Sequence, residues 1–310
     1  MYPKQMVQTY SVFPTSGAHD VVVGPYNTGL ALRRLTDYAD NTVVVDNVAL
    51  NRIAAELSDH ATLDHVNQMV ATILTATTAP MRFFGATHNR LSDQCAELAP
   101  FNHMHFVQPG YTPFVLPFCR KKLLKTSAQD TLSRLLRPSS MMVTAETDVQ
   151  SAAFDHKMIA GLSILQGQPA DLDLAEVMMR MEQKQRFTYP AWSGLTLSTA
   201  TCVASPYIKR EFKVSGVLLA NHTNIANVFE GIQRQVKRLR AKKSYYKQFE
   251  DFAHAEEELD ECEASMQNLR DLYCAASLPD FLTRGANDKE NFKPEPSEEG
   301  DARSFTSNRS

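Results

Sequence analysis

The 310-residue sequence has no excess charge of either sign: 32 Lys and Arg stand against 35 Asp and Glu, a formal net charge of -3. No global basic field exists for gripping phosphate backbones, and no acidic field of the nucleic-acid-mimic kind. Cysteine is scarce, odd in number and scattered (Cys95, Cys119, Cys202, Cys262, Cys274), with no Cys-x-x-Cys pair and no histidine at zinc-finger spacing. Reduced thiols follow, and neither a disulfide framework nor a structural zinc site. The 12 glycines are dispersed, so no glycine-rich run offers consecutive backbone N–H groups to a phosphate. No run of about 18 apolar residues and no apolar core of signal-peptide length at the start occur. The expectation is a protein that neither spans a membrane nor is secreted. No repeat of fixed period is present, which sets aside solenoids and propellers.

What is there is ordinary globular material, 43% apolar and 22% charged. Met6 to Phe13 is a β-branched and aromatic run closed by Pro14, which predicts a buried strand at the very start of the chain. A buried strand needs neighbours on both sides. A short amphipathic helix over 26–38, an apolar strand over 42–45 and a helix through 51–57 follow, with Asp46 and Asn47 at its cap. Leu63, Val66, Met69, Val70, Ile73 and Leu74 recur at helical spacing, with Ala71 and Ala76 small enough for close packing on both sides. That pattern predicts a central helix rather than a surface one.

Residues 81–220 alternate short helices (92–98, 126–136, 173–183) with β-rich runs (104–107, 159–165, 195–201, 212–220), a mixed α/β sandwich pattern. The last third changes character. A helix over 224–249 carries seven Lys and Arg between Arg234 and Lys247, and residues 250–263 carry eight acids. Two such helices are expected to pack antiparallel as a hairpin, charges facing and apolar stripes on the body. The cations then form a solvated face beside their acidic partner, so no nucleic-acid partner is expected, and no membrane one. From 285 the sequence fills with Asn, Lys, Glu, Pro, Ser and Gly and predicts a disordered tail.

Five ordered blocks carry a resemblance. They are Thr9-Tyr10-Ser11-Val12-Phe13-Pro14, Asp20-Val21-Val22-Val23-x-Pro25-Tyr26-Asn27, Val45-Asp46-Asn47-x-Ala49-Leu50, Pro109-Gly110-Tyr111-Thr112-Pro113, and Gly216-x-x-x-Ala220-Asn221-His222-Thr223. In order and spacing they resemble the tubulin family. Asn47-x-Ala49-Leu50-Asn51-Arg52-Ile53-Ala54, Ser205-Pro206-Tyr207, Val214-Ser215-Gly216 and the ending Pro279-Asp280-Phe281 resemble its gamma branch. Coverage runs from about residue 4 to about residue 284.

The resemblance implies the C-terminal part of a doubly wound tubulin-type GTPase domain with its core helix (1–80), an intermediate α/β sandwich (81–222), a C-terminal helical hairpin (223–284) and the tail (285–310). It implies an N-terminally incomplete sequence, because tubulins carry the phosphate-cradling loop upstream of this point. The implied cofactor is GTP or GDP, addressed here from the base and ribose side. The implied partners are gamma-tubulin complex proteins, alpha/beta-tubulin and neighbouring gamma-tubulin copies, at a microtubule organising centre such as a centrosome or spindle pole body. The implied role is microtubule nucleation. The alternative is a truncated tubulin relative without nucleotide binding that acts as an interaction module.

Carried over by position, Asn47 and Asn67 match the two amides that pair with the guanine edge; helix capping and a polar helix position are their local readings. Leu63 stands where an aromatic usually stacks on guanine, which forfeits the stacking contribution. Asp20 lies on the loop expected near the ribose, with helix capping as its alternative, and Gly24 replaces a usual polar side chain there. The loop that completes hydrolysis across the longitudinal contact reads Gly85-Ala86-Thr87-His88-Asn89-Arg90, with His88 and Arg90 at its Asn and Asp positions and Asp93 at the acid position. GTPase activity is therefore doubtful. His103 and His105 lack metal-ligand partners at suitable spacing, and a packed core histidine is the reading for His105.

Overall fold

The computed structural model describes residues 5–14, 23–57, 62–83, 85, 87–101, 103–114, 127–143, 156–168, 188–194, 197–203, 212–242 and 255–282. The helix expected over 173–183, the tail from 285, Asp20, Cys119 and the aromatics Tyr245, Tyr246 and Phe249 lie outside the described residues.

The strands are β1 (Gln8–Phe13), β2 (Asn41–Asp46), β3 (Phe106–Thr112), β4 (Met158–Gly167), β5 (Leu197–Val203) and β6 (Ser215–His222). The helices are α1 (Gly24–Tyr38), α2 (Asn47–Leu57), α3 (Leu63–Thr77), α4 (Ala79–Arg82), α5 (Leu91–Leu98), α6 (Ala128–Leu135), α7 (Ile225–Ala241) and α8 (Ala255–Ala276). One six-stranded sheet runs β1-β2-β3-β6-β4-β5. Its first three strands are parallel, with Phe13 opposite Asp46 and Thr42 opposite Phe106. The β3–β6 and β6–β4 pairs are antiparallel, and β4–β5 is parallel. β3 thus belongs to both halves, and the sheet continues across the boundary near residue 81.

Strand alternation explains why β2 is apolar throughout. Val44 joins a cluster with Phe13, Tyr26 and Leu32 and with Phe229, Met266 and Tyr273 from α7 and α8. Val43 packs with Ala76, Ala79 and Leu98, and Val45 with Leu50, Val66 and Met69. With both faces covered, every residue of β2 is buried. β3 repeats the pattern, Phe106 facing the first cluster and Val107 the second.

α3 departs from expectation. Val66, Met69, Ile73 and Ala76 are buried, but Leu63 is 80% exposed and Ala71 is exposed as well. Apolar spacing marked two faces as packable, whereas among the described residues only one finds neighbours, so α3 is one-sided rather than central. α7 and α8 pack against each other, and α8 runs to Ala276, well beyond the acidic block. Arg240 pairs with Asp260 and Glu263, Gln233 Nε2 donates to Gln267, and Arg270 reaches Glu230, an antiparallel ladder.

Candidate functional site

Parallel β1 and β2 end side by side at Phe13 and Asp46, and α2 leaves the end of β2 without a linker. The Asp46 carboxylate accepts from the Val48 N–H at 3.0 Å. Asp46 therefore caps α2, and Asn47, its first residue, is exposed at the helix N-terminus, where the amide is not required for capping. α3 opens at Leu63 behind Thr62, whose N–H donates to His65 Nδ1. Asn67 lies one turn into α3 and is also exposed. Leu50, Ile53 and Ala54 of α2 share a cluster with Val66, Met69 and Ile73 of α3, so Asn47, Leu63 and Asn67 lie on two helices packed together.

Gly24, the departure noted near the ribose side, is the first residue of α1, with Pro25 behind it, as suits a helix start. The loop before α5 sits elsewhere. Gly85 bridges to Cys202 of β5, the opposite edge of the sheet from β1, and a β-carbon there would stand 2.9 Å from the Thr201 carbonyl oxygen. His88 holds a φ of 57°, and Asn89 Nδ2 donates back to the Gly85 carbonyl. Arg90 is the residue before α5, and Asp93 lies in the first turn of that helix. The structure does not bring this loop to Asn47 within one chain.

His105 is 3% exposed, stacks on Phe106 and directs Nε2 at the Leu35 carbonyl. Burial pushes its pKa down to about 4, so it is a neutral core histidine. Cys95 and Cys262 are buried and pushed up to about 11 by burial, which keeps both thiols protonated. Among the described residues no group of three or more His, Cys, Asp or Glu could hold a metal ion, and no helix is long and apolar enough to cross a membrane.

The decisive comparison concerns the second half of the sheet and the helix after it. Residues 102–247 match the tubulin C-terminal domain. This segment, just under half of the chain, runs from just before β3 to beyond α7, and it is similar to that domain. The tubulin-like segment thus contains the β3–β6–β4–β5 part of the sheet.

One feature had only a partial signal in the sequence. An open groove of about 760 Å³ runs along β1 and α1, lined by Val7, Thr9, Ser11 and Phe13 with Leu35 and Tyr38. Asn47, Leu63 and Asn67 do not line it. The β-branched and aromatic run marks β1 itself, but the groove depends on how α1 crosses β1.

Proposed function

We propose that this chain is a gamma-tubulin-like protein that binds guanine nucleotide and nucleates microtubules within a gamma-tubulin complex at a microtubule organising centre. The observation that carries the reading is the exposure of Asn47 at the end of β2, where Asp46 has taken over the capping role. An amide offers the donor and acceptor pair that the guanine edge requires, and Asn67 offers a second on the helix packed against it. The residues of this chain address the base and, through Asp20, the ribose. Leu63 covers the ring by dispersion alone, which lowers affinity relative to an aromatic.

Turnover is secondary in this reading. His88 and Arg90 give the loop before α5 a basic rather than acidic character, so the nucleotide serves as a bound structural ligand. Templating supplies in advance the contacts whose entropic cost makes spontaneous nuclei rare, with complex proteins, neighbouring copies and alpha/beta-tubulin as partners.

Titration of the purified chain with a fluorescent guanine nucleotide tests the binding claim. Saturable binding is expected, weakened about 10-fold by either Asn47→Ala or Asn67→Ala, the loss of one or two hydrogen bonds to the base. Absence of saturable binding, or equal affinity for adenine and guanine nucleotides, overturns it. The nucleation claim is read separately, as a shortened lag in assembly of alpha/beta-tubulin.

A further inference from the structure

We propose that Arg52 is a positioning residue for the base site: it clamps α2 to the segment 139–142 and so holds Asn47 in place. This role rests on the guanine-binding reading of Asn47. Arg52 lies on α2, in the Asn51-Arg52-Ile53-Ala54 block. Its guanidinium reaches a stretch of chain far along the sequence, where Nη1 donates to the Ser139 carbonyl and Nη2 to the Met141 carbonyl, each at 3.3 Å. A planar fork of N–H groups can address two carbonyls at once, which a lysine ammonium does with less directional control.

The stretch that Arg52 grips is itself fixed to the sheet. Met141 bridges to Gly110 of β3, the Met142 N–H donates to the Pro109 carbonyl at 2.9 Å, and Met142 is buried with Val45, Leu50 and Ile53. The Met142 carbonyl in turn accepts from the Asp46 N–H at 2.9 Å. Segment 139–142 therefore holds the chain on both sides of Asn47, directly before it at Asp46 and about one and a half helical turns after it at Arg52. The remaining restraint on α2 is apolar, through Leu50, Ile53 and Ala54 packed with Val66, Met69 and Ile73 of α3. Apolar contact is non-directional, so the rotation of α2 is left to hydrogen bonds.

That rotation matters at Asn47. An amide reads a base edge only when its donor and acceptor are both aligned, so a small turn of the helix start spoils the pairing. Capping by Asp46 fixes the first turn, and Arg52 fixes the helix body relative to the same segment. The ion pair of Arg52 with Glu56 does not do this. It is an i,i+4 contact of 3.4 Å within α2, with the carboxylate 58% exposed, so solvent screens it and it ties the helix only to itself. The Met141 contact is partly buried and joins two separate elements.

The test uses the full chain and a fluorescent guanosine diphosphate read by anisotropy, with amide hydrogen exchange followed in the nucleotide-free protein. Arg52→Ala is expected to weaken binding about 5-fold, both alone and in the Asn67→Ala background, but by less than about 2-fold in the Asn47→Ala background, because Arg52 acts through Asn47. It is also expected to speed exchange of the Asp46 amide about 10-fold while the urea midpoint changes little. Glu56→Gln removes the ion pair, keeps both carbonyl contacts and is expected to match the wild type in both measurements. Equal losses in all three backgrounds would mark a general structural effect and overturn the proposal. Unchanged Asp46 exchange in Arg52→Ala overturns it too, as does a Glu56→Gln chain that behaves like Arg52→Ala. No saturable binding by the wild-type chain overturns the guanine reading and the positioning role together, whereas saturable binding with additive losses overturns the positioning role alone.

Discussion

Asn221 ties the loop between α5 and β3 to the sheet. Its buried Nδ2 donates to the Leu98 carbonyl at 2.9 Å and the Met104 carbonyl at 2.6 Å. Asn221→Ala orphans two carbonyls and is expected to cost about 2–4 kcal/mol, read from the urea midpoint at constant m. His105 gives a pH signature. Its folded pKa, about 4, lies below the ordinary 6.5, so the unfolded chain takes up the proton first. Stability is therefore full above about pH 6.5, falls as pH drops toward about 4, and then levels, by up to roughly 3 kcal/mol from this residue. His105→Gln is expected to flatten that slope in denaturation measured at pH 7 and pH 5. Of these residues, the sequence marked His105 as core but carried no sign that its partner would be the Leu35 carbonyl, 70 positions away.

At the scale of elements, the α7–α8 hairpin was legible because its charges fall in two blocks and its apolar residues at helical spacing. The third participant was not. Arg33 and Arg34 of α1 also reach Glu258, and Arg33 reaches Glu261, so the acidic helix serves two basic partners. Nothing local to residues 33 or 258 encodes that pairing. Arg240 and Glu263 are each about one-quarter exposed, which places their pair between a solvated contact and a buried one. A double-mutant cycle with Arg240→Ala and Glu263→Ala is expected to give a coupling of about 0.5–1.5 kcal/mol that shrinks in 1 M salt. A coupling unchanged by salt would mean that packing of the Arg240 stem, not charge, supports the hairpin.

At the scale of the whole molecule, one cluster joins Val43 of β2, Val107 of β3, Leu162 of β4, Ala200 of β5 and Val217 of β6. With β3 shared between the two halves of the sheet, no seam separates them. Trp192, the one tryptophan, packs against Phe101 and Phe281 and donates its indole N–H to the Ala276 carbonyl. Its fluorescence and the far-UV circular dichroism are expected to report coincident urea transitions. Two separated midpoints would show that the halves unfold independently despite the shared strand.

The sequence by itself determined the types of element, the charged hairpin and the resemblance that singled out Asn47, Asn67 and Leu63, because periodicity, charge blocks and ordered motifs are properties of neighbouring residues. No local rule chose those three: an asparagine at a helix start reads as a cap, and only Asp46 bonding to Val48 showed that the cap lies one residue earlier. Among the described residues, tertiary structure decided the strand order of the sheet, the one-sided burial of α3, and the separation of the His88 loop from Asn47. Each depends on pairings between residues far apart in the chain, whose energies arise from contact and exclusion of water in three dimensions rather than from the pattern along the backbone.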